Sequence, residues 1–276
     1  MTTDHTIVER EGGLVTITFS RPEKKNALTA NNWMDLDEVL REIETNPADR
    51  AVVLTGAGGN FSSGADLTGG MSSGDKGSGS GTDSGGLTGR GRQLVLNEMR
   101  TVGEIIGRLQ RLPKPTIAAV DGVAVGVALG LAMACDLVVA SDQARFSEVF
   151  VKRGLALDGG SSWTLPRLIG LRRAKQMTFF GDVIGAAKAE EWGLVNEVVA
   201  PEDLMETATA WGHRLASGPP TALSLIKRLL DSSGSSSFVG AIEDEARAQH
   251  IVFTTADMAE GIQAFFERRE PNFRGE

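Results

Sequence analysis

The sequence predicts an α/β fold with largely buried strands, and two observations carry this prediction. Three short runs, 14–20, 50–56 and 116–122, are rich in apolar and β-branched residues and have the length of buried strands. They alternate with segments such as 29–46, in which apolar residues recur at helical spacing. Strands that alternate with helices in this way are typical of a sheet covered by helices.

The remaining elements up to residue 200 continue this alternation. A helix is predicted over 92–111, where apolar residues fall near one face, and a second helix begins within 126–135, directly after the strand 116–122. The run 136–141 is the next predicted strand. In the predicted helix 29–46, one face carries the apolar residues Trp33, Leu36, Leu40 and Ile43, and we expect this face to be buried.

The composition changes near residue 200, and only helices are predicted after it. Pro201 suits the first turn of a helix. We therefore expect a core over 1–200 and a helical C-terminal region over 201–276. The predicted helices of that region are 201–217, 220–231, 236–252 and 255–268.

Residues 69–91 form a low-complexity tract, with 10 glycines and 5 serines among its 23 residues. Such a tract has too little apolar surface to order itself, so we expect a mobile loop. Within it, 70–74 matches the G-x-S-x-G pattern of serine hydrolases. No histidine of the chain stands in a supporting pattern, and matches arise by chance in Gly/Ser-rich sequence, so a serine hydrolase is disfavoured.

Composition excludes several other classes of protein. The net charge of −8 argues against nucleic-acid binding, which needs a basic face. The single cysteine, Cys135, excludes an internal disulfide and a cysteine-based metal cluster, and its apolar surroundings indicate an inert buried thiol. The longest uncharged apolar run, 122–135, is shorter than the roughly 20 residues of a membrane span. With no apolar signal-peptide core near its N-terminus, the chain is expected to be cytoplasmic, with neither a metal nor a membrane partner.

Two glycine-containing loops, 56–61 and 122–130, stand out as backbone sites. Neither has the spacing of a dinucleotide or P-loop motif. Exposed N–H groups in such bends, and at a helix start, bind anions or developing negative charge. A purely structural role for each loop remains the alternative.

Several segments, in order along the chain, resemble the crotonase (enoyl-CoA hydratase/isomerase) family. These are "FSSGADL" (61–67), the run 115–141 and "EEWGLVNEVV" (190–199), with "RPEKKNAL" (21–28) and "EGIQAFFERREPNF" (260–273) in support. The resemblance covers nearly the whole chain except the low-complexity tract. It implies a spiral of ββα units whose C-terminal helices assemble trimers or dimers of trimers.

The resemblance also implies chemistry on acyl-CoA thioesters, with coenzyme A as part of the substrate and no separate cofactor. Two backbone N–H groups, of Ala65 and Val127, would hold the thioester oxygen as it becomes enolate-like. Val127 replaces a glycine of the family's usual A-L-G-G-G, but a peptide N–H is retained. For Lys25, a solvated turn is the alternative role. The residues implied to lie near CoA or substrate are Lys25, Ala27, Ser63, Asp66, Leu67, Val123, Gly126 and Phe150.

The resemblance argues against conventional hydration. Hydratases of the family use two glutamates, and this chain has Gly130 and Phe150 at those positions. Glu148 is two residues out of register, so a local shift would restore only one acid.

Asp158 is the acid that the resemblance offers instead. Its segment is similar to the branch of the family with a catalytic aspartate here, which includes enoyl-CoA isomerases. A 1,3-proton shift needs only one carboxylate, which removes a proton from one carbon and returns it to another. The alternative is a helix N-cap. A cap would lower the pKa of this carboxyl, whereas a base among the apolar Phe150 and Leu157 would have a raised pKa.

An enoyl-CoA isomerase is therefore the favoured function. Dehalogenation is disfavoured because it needs a histidine before the oxyanion strand, and there is none between His5 and His213. Two alternatives stay open: a hydratase or other thioester reaction with an unrecognised second acid, and a CoA-ester-binding protein with little catalysis.

Overall fold

The computed structural model of the protein describes Thr3, residues 5–66 and residues 89–276, and it confirms the predicted α/β class. The strands are β1 (Thr6–Glu11), β2 (Leu14–Phe19), β3 (Ala51–Gly56), β4 (Thr116–Val120), β5 (Val123–Val125), β6 (Leu137–Ser141), β7 (Arg145–Ser147), β8 (Ile184–Gly185) and β9 (Glu197–Val199). The helices are α1 (Ala30–Thr45), α2 (Gly89–Arg111), α3 (Val127–Met133), α4 (Ser161–Phe180), α5 (Ala186–Trp192), α6 (Leu204–Ala216), α7 (Pro220–Ser233), α8 (Phe238–Val252) and α9 (Ala256–Glu267).

The strands form two sheets. The larger has the order β1-β2-β3-β4-β6-β9 and is parallel except for the β1–β2 pair. The smaller has the order β5-β7-β8, with β5 and β7 parallel. After a short turn, β4 continues into β5 and β6 continues into β7, so the chain passes twice from the larger sheet to the smaller one.

The central strands β3, β4 and β6 of the larger sheet are buried on both faces, which explains why they are apolar at nearly every position. One face packs against α1, α2 and α3 in a core that includes Ile17, Leu54 and Leu40, all fully buried. The other face is covered by α6, whose Ala208 packs with Val53 and other residues of the sheet. Helix α6, which lies after residue 200, therefore covers the sheet directly. The division of the chain into a core over 1–200 and a C-terminal region over 201–276 stays a prediction.

The elements predicted up to residue 141 and the four C-terminal helices are present within a few residues of their expected bounds. The helix expected from residue 92 begins at Gly89, so the last three residues of the predicted mobile tract are helical. Residues 69–88 of that tract lie outside the described residues. Within the described part of the chain, no helix is long and apolar enough to cross a membrane, and no three His, Cys, Asp or Glu side chains are grouped to hold a metal ion.

Candidate functional site

Two loops predicted to lie near coenzyme A are joined by backbone hydrogen bonds. The Ser63 N–H donates to the Lys25 carbonyl (2.9 Å), and the Asp66 N–H donates to the Leu28 carbonyl (2.9 Å). Arg21 lies at this junction: its guanidinium pairs with the Asp66 carboxylate (3.0 Å) and donates to the Ala27 carbonyl (2.8 Å). The Asp66 carboxylate therefore helps to hold the two loops together, whereas Lys25 is exposed.

The same loop is paired with β5, and this pairing places the two predicted oxyanion donors. Ser62 and Ala124 form a parallel bridge. Ala65 and Val127 each lie three residues beyond a bridged residue, so the bridge carries both to the same end of the pair. Gly64 has a φ of 92°, and a Cβ on it would lie 2.6 Å from the Val125 carbonyl oxygen, so the close approach requires glycine.

Both predicted donor groups have unused hydrogen-bonding capacity. Val127 is the first residue of α3, where a helix N–H has no partner within its own helix. Within the part of the chain that the structure describes, neither Val127 nor Ala65 donates its N–H to another residue. One unpaired N–H group at a helix start, together with one in the loop paired to β5, is suited to a developing oxyanion.

The loop that carries Asp158 packs against this helix start. A Cβ on Gly159 would lie 3.5 Å from Val127 Cγ2 and 3.4 Å from the Gly130 Cα. Residue 158 is therefore next in sequence to a residue in contact with the first turn of α3. This contact joins the loop of the predicted acid to the helix start that carries one of the predicted oxyanion donors, Val127.

The same contact leaves no room for a side chain at position 130. A Cβ on Gly130 would lie 2.7 Å from the Gly159 carbonyl oxygen, closer than such atoms approach in proteins. Phe150, at the other hydratase position, is buried, and its Cζ would lie 3.5 Å from a Cβ on Gly126. Neither hydratase position therefore supplies an acid here.

Asp158 does not cap a helix with its side chain. Gly160 is the N-cap of α4, without a side-chain hydrogen bond, and only the backbone carbonyl of Asp158 accepts, from the Ser161 N–H (3.1 Å). Asp158 Oδ1 is buried without a hydrogen-bond partner among the described residues. Burial raises the pKa of this carboxyl to about 6, the direction expected of a base and opposite to that of a cap.

Glu148 is a second acid at this site. In the sequence it lies two residues from the hydratase position, so it is not among the predicted site residues. It follows β7 directly and is fully buried. Burial raises its pKa to about 8; the neighbouring Ser161 hydroxyl opposes this increase and the Asp158 charge adds to it. Within the described chain, neither carboxyl oxygen of Glu148 has a hydrogen bond of normal geometry. The sequence feature that could have indicated Glu148 is its position as the only charge between Phe146 and Phe150, in a run otherwise suited to burial.

The structure thus connects nearly all the predicted site residues through loop 21–28, loop 61–66, β5, the start of α3 and loop 154–160. Leu67 lies outside the described residues. The roles of the connected residues stay predictions. The connected residues are Lys25, Ala27, Ser63, Ala65, Asp66, Val123, Gly126, Val127, Phe150 and Asp158.

Known proteins resemble this chain along its whole length. The family model described as enoyl-CoA hydratase/isomerase matches residues 9–79 and 71–276. The 1,2-epoxyphenylacetyl-CoA isomerase of Escherichia coli K12 is 35% identical over 265 residues, 96% of each chain. The short-chain-enoyl-CoA hydratase of Clostridium acetobutylicum is 34% identical over 280 residues, 98% of this chain and 97% of that protein.

A solved structure shows the same fold. The enoyl-CoA hydratase/isomerase of Cupriavidus metallidurans CH34 superimposes with a TM-score of 0.87 at 32% identity, covering 100% of this chain and 98% of that one. The crotonase-like fold predicted from the sequence is therefore confirmed. By its family-model match, its relatives and its fold, the chain belongs to the enoyl-CoA hydratase/isomerase (crotonase) family.

Proposed function

We propose that this acyl-CoA-processing protein is an enoyl-CoA isomerase in which Asp158 is the catalytic base. The observation that carries the proposal is the packing of Gly159 on the first turn of α3. This packing joins the Asp158 loop to the helix start that carries the Val127 N–H, and it leaves no space for a side chain at position 130. One acid beside an oxyanion site is the minimum set for a 1,3-proton shift.

The proposed reaction begins with a 3-enoyl thioester whose carbonyl oxygen accepts from the Ala65 and Val127 N–H groups. The Asp158 carboxylate removes a proton from the carbon next to the carbonyl, and the C–H electron pair forms a dienolate with its charge on that oxygen. The protonated Asp158 then returns the proton to the far carbon of the dienolate. The double bond moves to the 2-position, the carboxylate is regenerated, and the CoA thioester is retained in the product, so no separate cofactor takes part.

The raised pKa of Asp158 suits this role. A base with a pKa near the working pH both accepts and returns a proton readily. Only the ionised form starts the reaction, so the rate should rise as the pH passes through about 6.

Assays of the wild-type protein test this proposal against its alternatives. With a 3-enoyl-CoA substrate we expect conversion to the 2-enoyl isomer, which chromatography of the thioesters would measure. With 2-enoyl-CoA we expect little or no 3-hydroxyacyl product. Hydration faster than isomerisation would establish the hydratase, for which Glu148 beside Asp158 provides a second carboxyl. Tight binding of both thioesters without turnover would establish a CoA-ester-binding protein.

The oxyanion role of Val127 can be tested by removing its N–H. Proline is tolerated at the first position of a helix, so Val127→Pro deletes the donor where α3 begins. We expect kcat for isomerisation to fall about 10²- to 10³-fold, the usual cost of one oxyanion donor. Val127→Ala keeps the N–H and is the matched control, with a far smaller change. If circular dichroism shows both variants to be folded and kcat falls equally in both, the effect is due to packing and not to the lost N–H.

We also propose that the protein assembles as a homotrimer or a dimer of trimers. Large apolar side chains are exposed on the C-terminal helices, among them Phe238 on α8 and both Phe265 and Phe266 on α9. Exposed apolar surface of this kind is typical of a protein–protein interface. The cytoplasmic location expected from the sequence stays a prediction.

A further inference from the structure

The proposed base and two neighbouring side chains have buried oxygen atoms that make no hydrogen bond among the described residues. Both oxygens of Glu148, Oδ1 of Asp158 and Oγ of Ser161 are buried without a partner among the described residues. They lie on two segments fixed by backbone contacts. The Ser161 N–H donates to the Asp158 carbonyl (3.1 Å), and the Gly126 N–H donates to the carbonyl of Ser147, which precedes Glu148 (2.9 Å).

The donors and acceptors of this cluster are better balanced when Glu148 is protonated. An ionised Glu148 would place two acceptor-only carboxylates together, with the Ser161 hydroxyl as the one side-chain donor. A protonated Glu148 adds a second donor and removes an unpaired charge from a fully buried position. The cluster then has two O–H donors and one carboxylate.

No cation of the described chain faces Glu148 to change this conclusion. Of the described residues, Asp158 is the charged group that acts on it, and Ser161 faces it from α4. Lys152, on the adjoining 3-10 helix Val149–Arg153, is directed to the surface, where it pairs with Asp182 (3.3 Å). The Glu148 carboxyl therefore has no cation of the described chain beside it to stabilise its charged form.

We propose that Glu148 is a positioning residue that stays uncharged at neutral pH, so that it and Asp158 together carry a single negative charge during catalysis. The proposal deepens the isomerase function proposed above and rests on it. While Glu148 is neutral, Asp158 alone carries the charge and acts as the base. Once Glu148 ionises, a second negative charge stands beside Asp158 and opposes the formation of the dienolate.

This proposal predicts a bell-shaped pH dependence of kcat/KM whose alkaline limb belongs to Glu148. The rise near pH 6 follows the ionisation of Asp158, and the fall near pH 8 follows that of Glu148. Glu148→Gln has nearly the same size and cannot ionise. We expect it to keep the acid limb and lose the alkaline one. Glu190→Gln, at an exposed position of α5, is the matched control and should keep both limbs.

An unchanged alkaline limb in a folded Glu148→Gln protein would overturn the proposal. Infrared spectroscopy of the wild-type protein supplies a test that needs neither turnover nor a folded variant. A protonated carboxyl band should persist at neutral pH and disappear as the pH passes through about 8. Its absence at neutral pH would also overturn the proposal. Its presence in a protein without isomerase activity would support an uncharged Glu148 while rejecting the isomerase function.

Discussion

Asp158→Asn is expected to lower kcat for isomerisation of a 3-enoyl-CoA by about 10²- to 10⁴-fold, the range supplied by a positioned general base. The asparagine has almost the same shape but neither removes nor returns a proton. Asp158 makes no side-chain capping bond, so the helix start should keep its geometry. Binding of the CoA thioester should change little, because the loops proposed to contact CoA are fixed by Arg21 and by backbone bonds.

The matched control for this substitution is Asp182→Asn. Asp182 is an exposed aspartate that pairs with Lys152, and its substitution should leave kcat within about twofold, since exposed ion pairs contribute little. Steady-state kinetics with both variants, together with a binding measurement on a non-reacting acyl-CoA, separates loss of chemistry from loss of binding. Isomerisation that continues at the wild-type rate in the Asp158→Asn variant would remove Asp158 from the mechanism.

Most of the fold could be predicted because its strands and helices have strong local patterns. The buried strands β3 and β4 are short continuous apolar runs, and α1 buries the four apolar residues predicted from helical spacing. The short strands β5, β7 and β8 have two or three residues each, too few for any periodicity to show. They form through pairing between distant segments, which a local pattern does not contain.

The candidate site was predictable as far as the resemblance reached, and Glu148 shows where it stopped. Counting residues along the chain places Phe150 at the hydratase position and leaves Glu148 two residues away. Its membership of the site depends on the turn of the chain between β7 and the 3-10 helix, which directs this side chain into the protein. A count along the sequence carries no information on that direction. The neighbouring Ser161 was not predicted either, since nothing local distinguishes it from the other serines of the chain.

Gly130→Ala is expected to destabilise the protein by about 1–3 kcal/mol, the usual cost of overpacking a close contact. In a helix this substitution is ordinarily stabilising, so the sign depends on the tertiary contact. Here the added Cβ would lie 2.7 Å from the carbonyl oxygen and 3.0 Å from the Cα of Gly159, both rigid backbone atoms. The loop must therefore move, and it carries Asp158 with it. A displacement of about 1 Å at a catalytic group costs on the order of 10²-fold in rate, so isomerisation should fall together with stability.

Gly103→Ala is the matched control, because Gly103 lies in α2 and a Cβ there would meet nothing within 4 Å among the described residues. We expect it to stabilise the protein by about 0.4–1 kcal/mol without changing the rate. Urea unfolding and the isomerisation assay on both proteins give the comparison. If Gly130→Ala were as stable and as active as Gly103→Ala, the contact between α3 and the Asp158 loop would not be as close as described.

Gly130→Glu extends the same argument to the choice of reaction. It restores an acid at the position that hydratases of the family use, yet its Cβ meets the same Gly159 backbone atoms. We expect a less stable protein with reduced isomerisation and no gain in hydration of 2-enoyl-CoA. The hydratase acid and the Asp158 loop in its present position compete for one space, so the packing of Gly159 on Gly130 would itself select the one-carboxylate reaction. A gain in hydration by Gly130→Glu would show instead that the loop yields and that only the missing side chain separates the two activities.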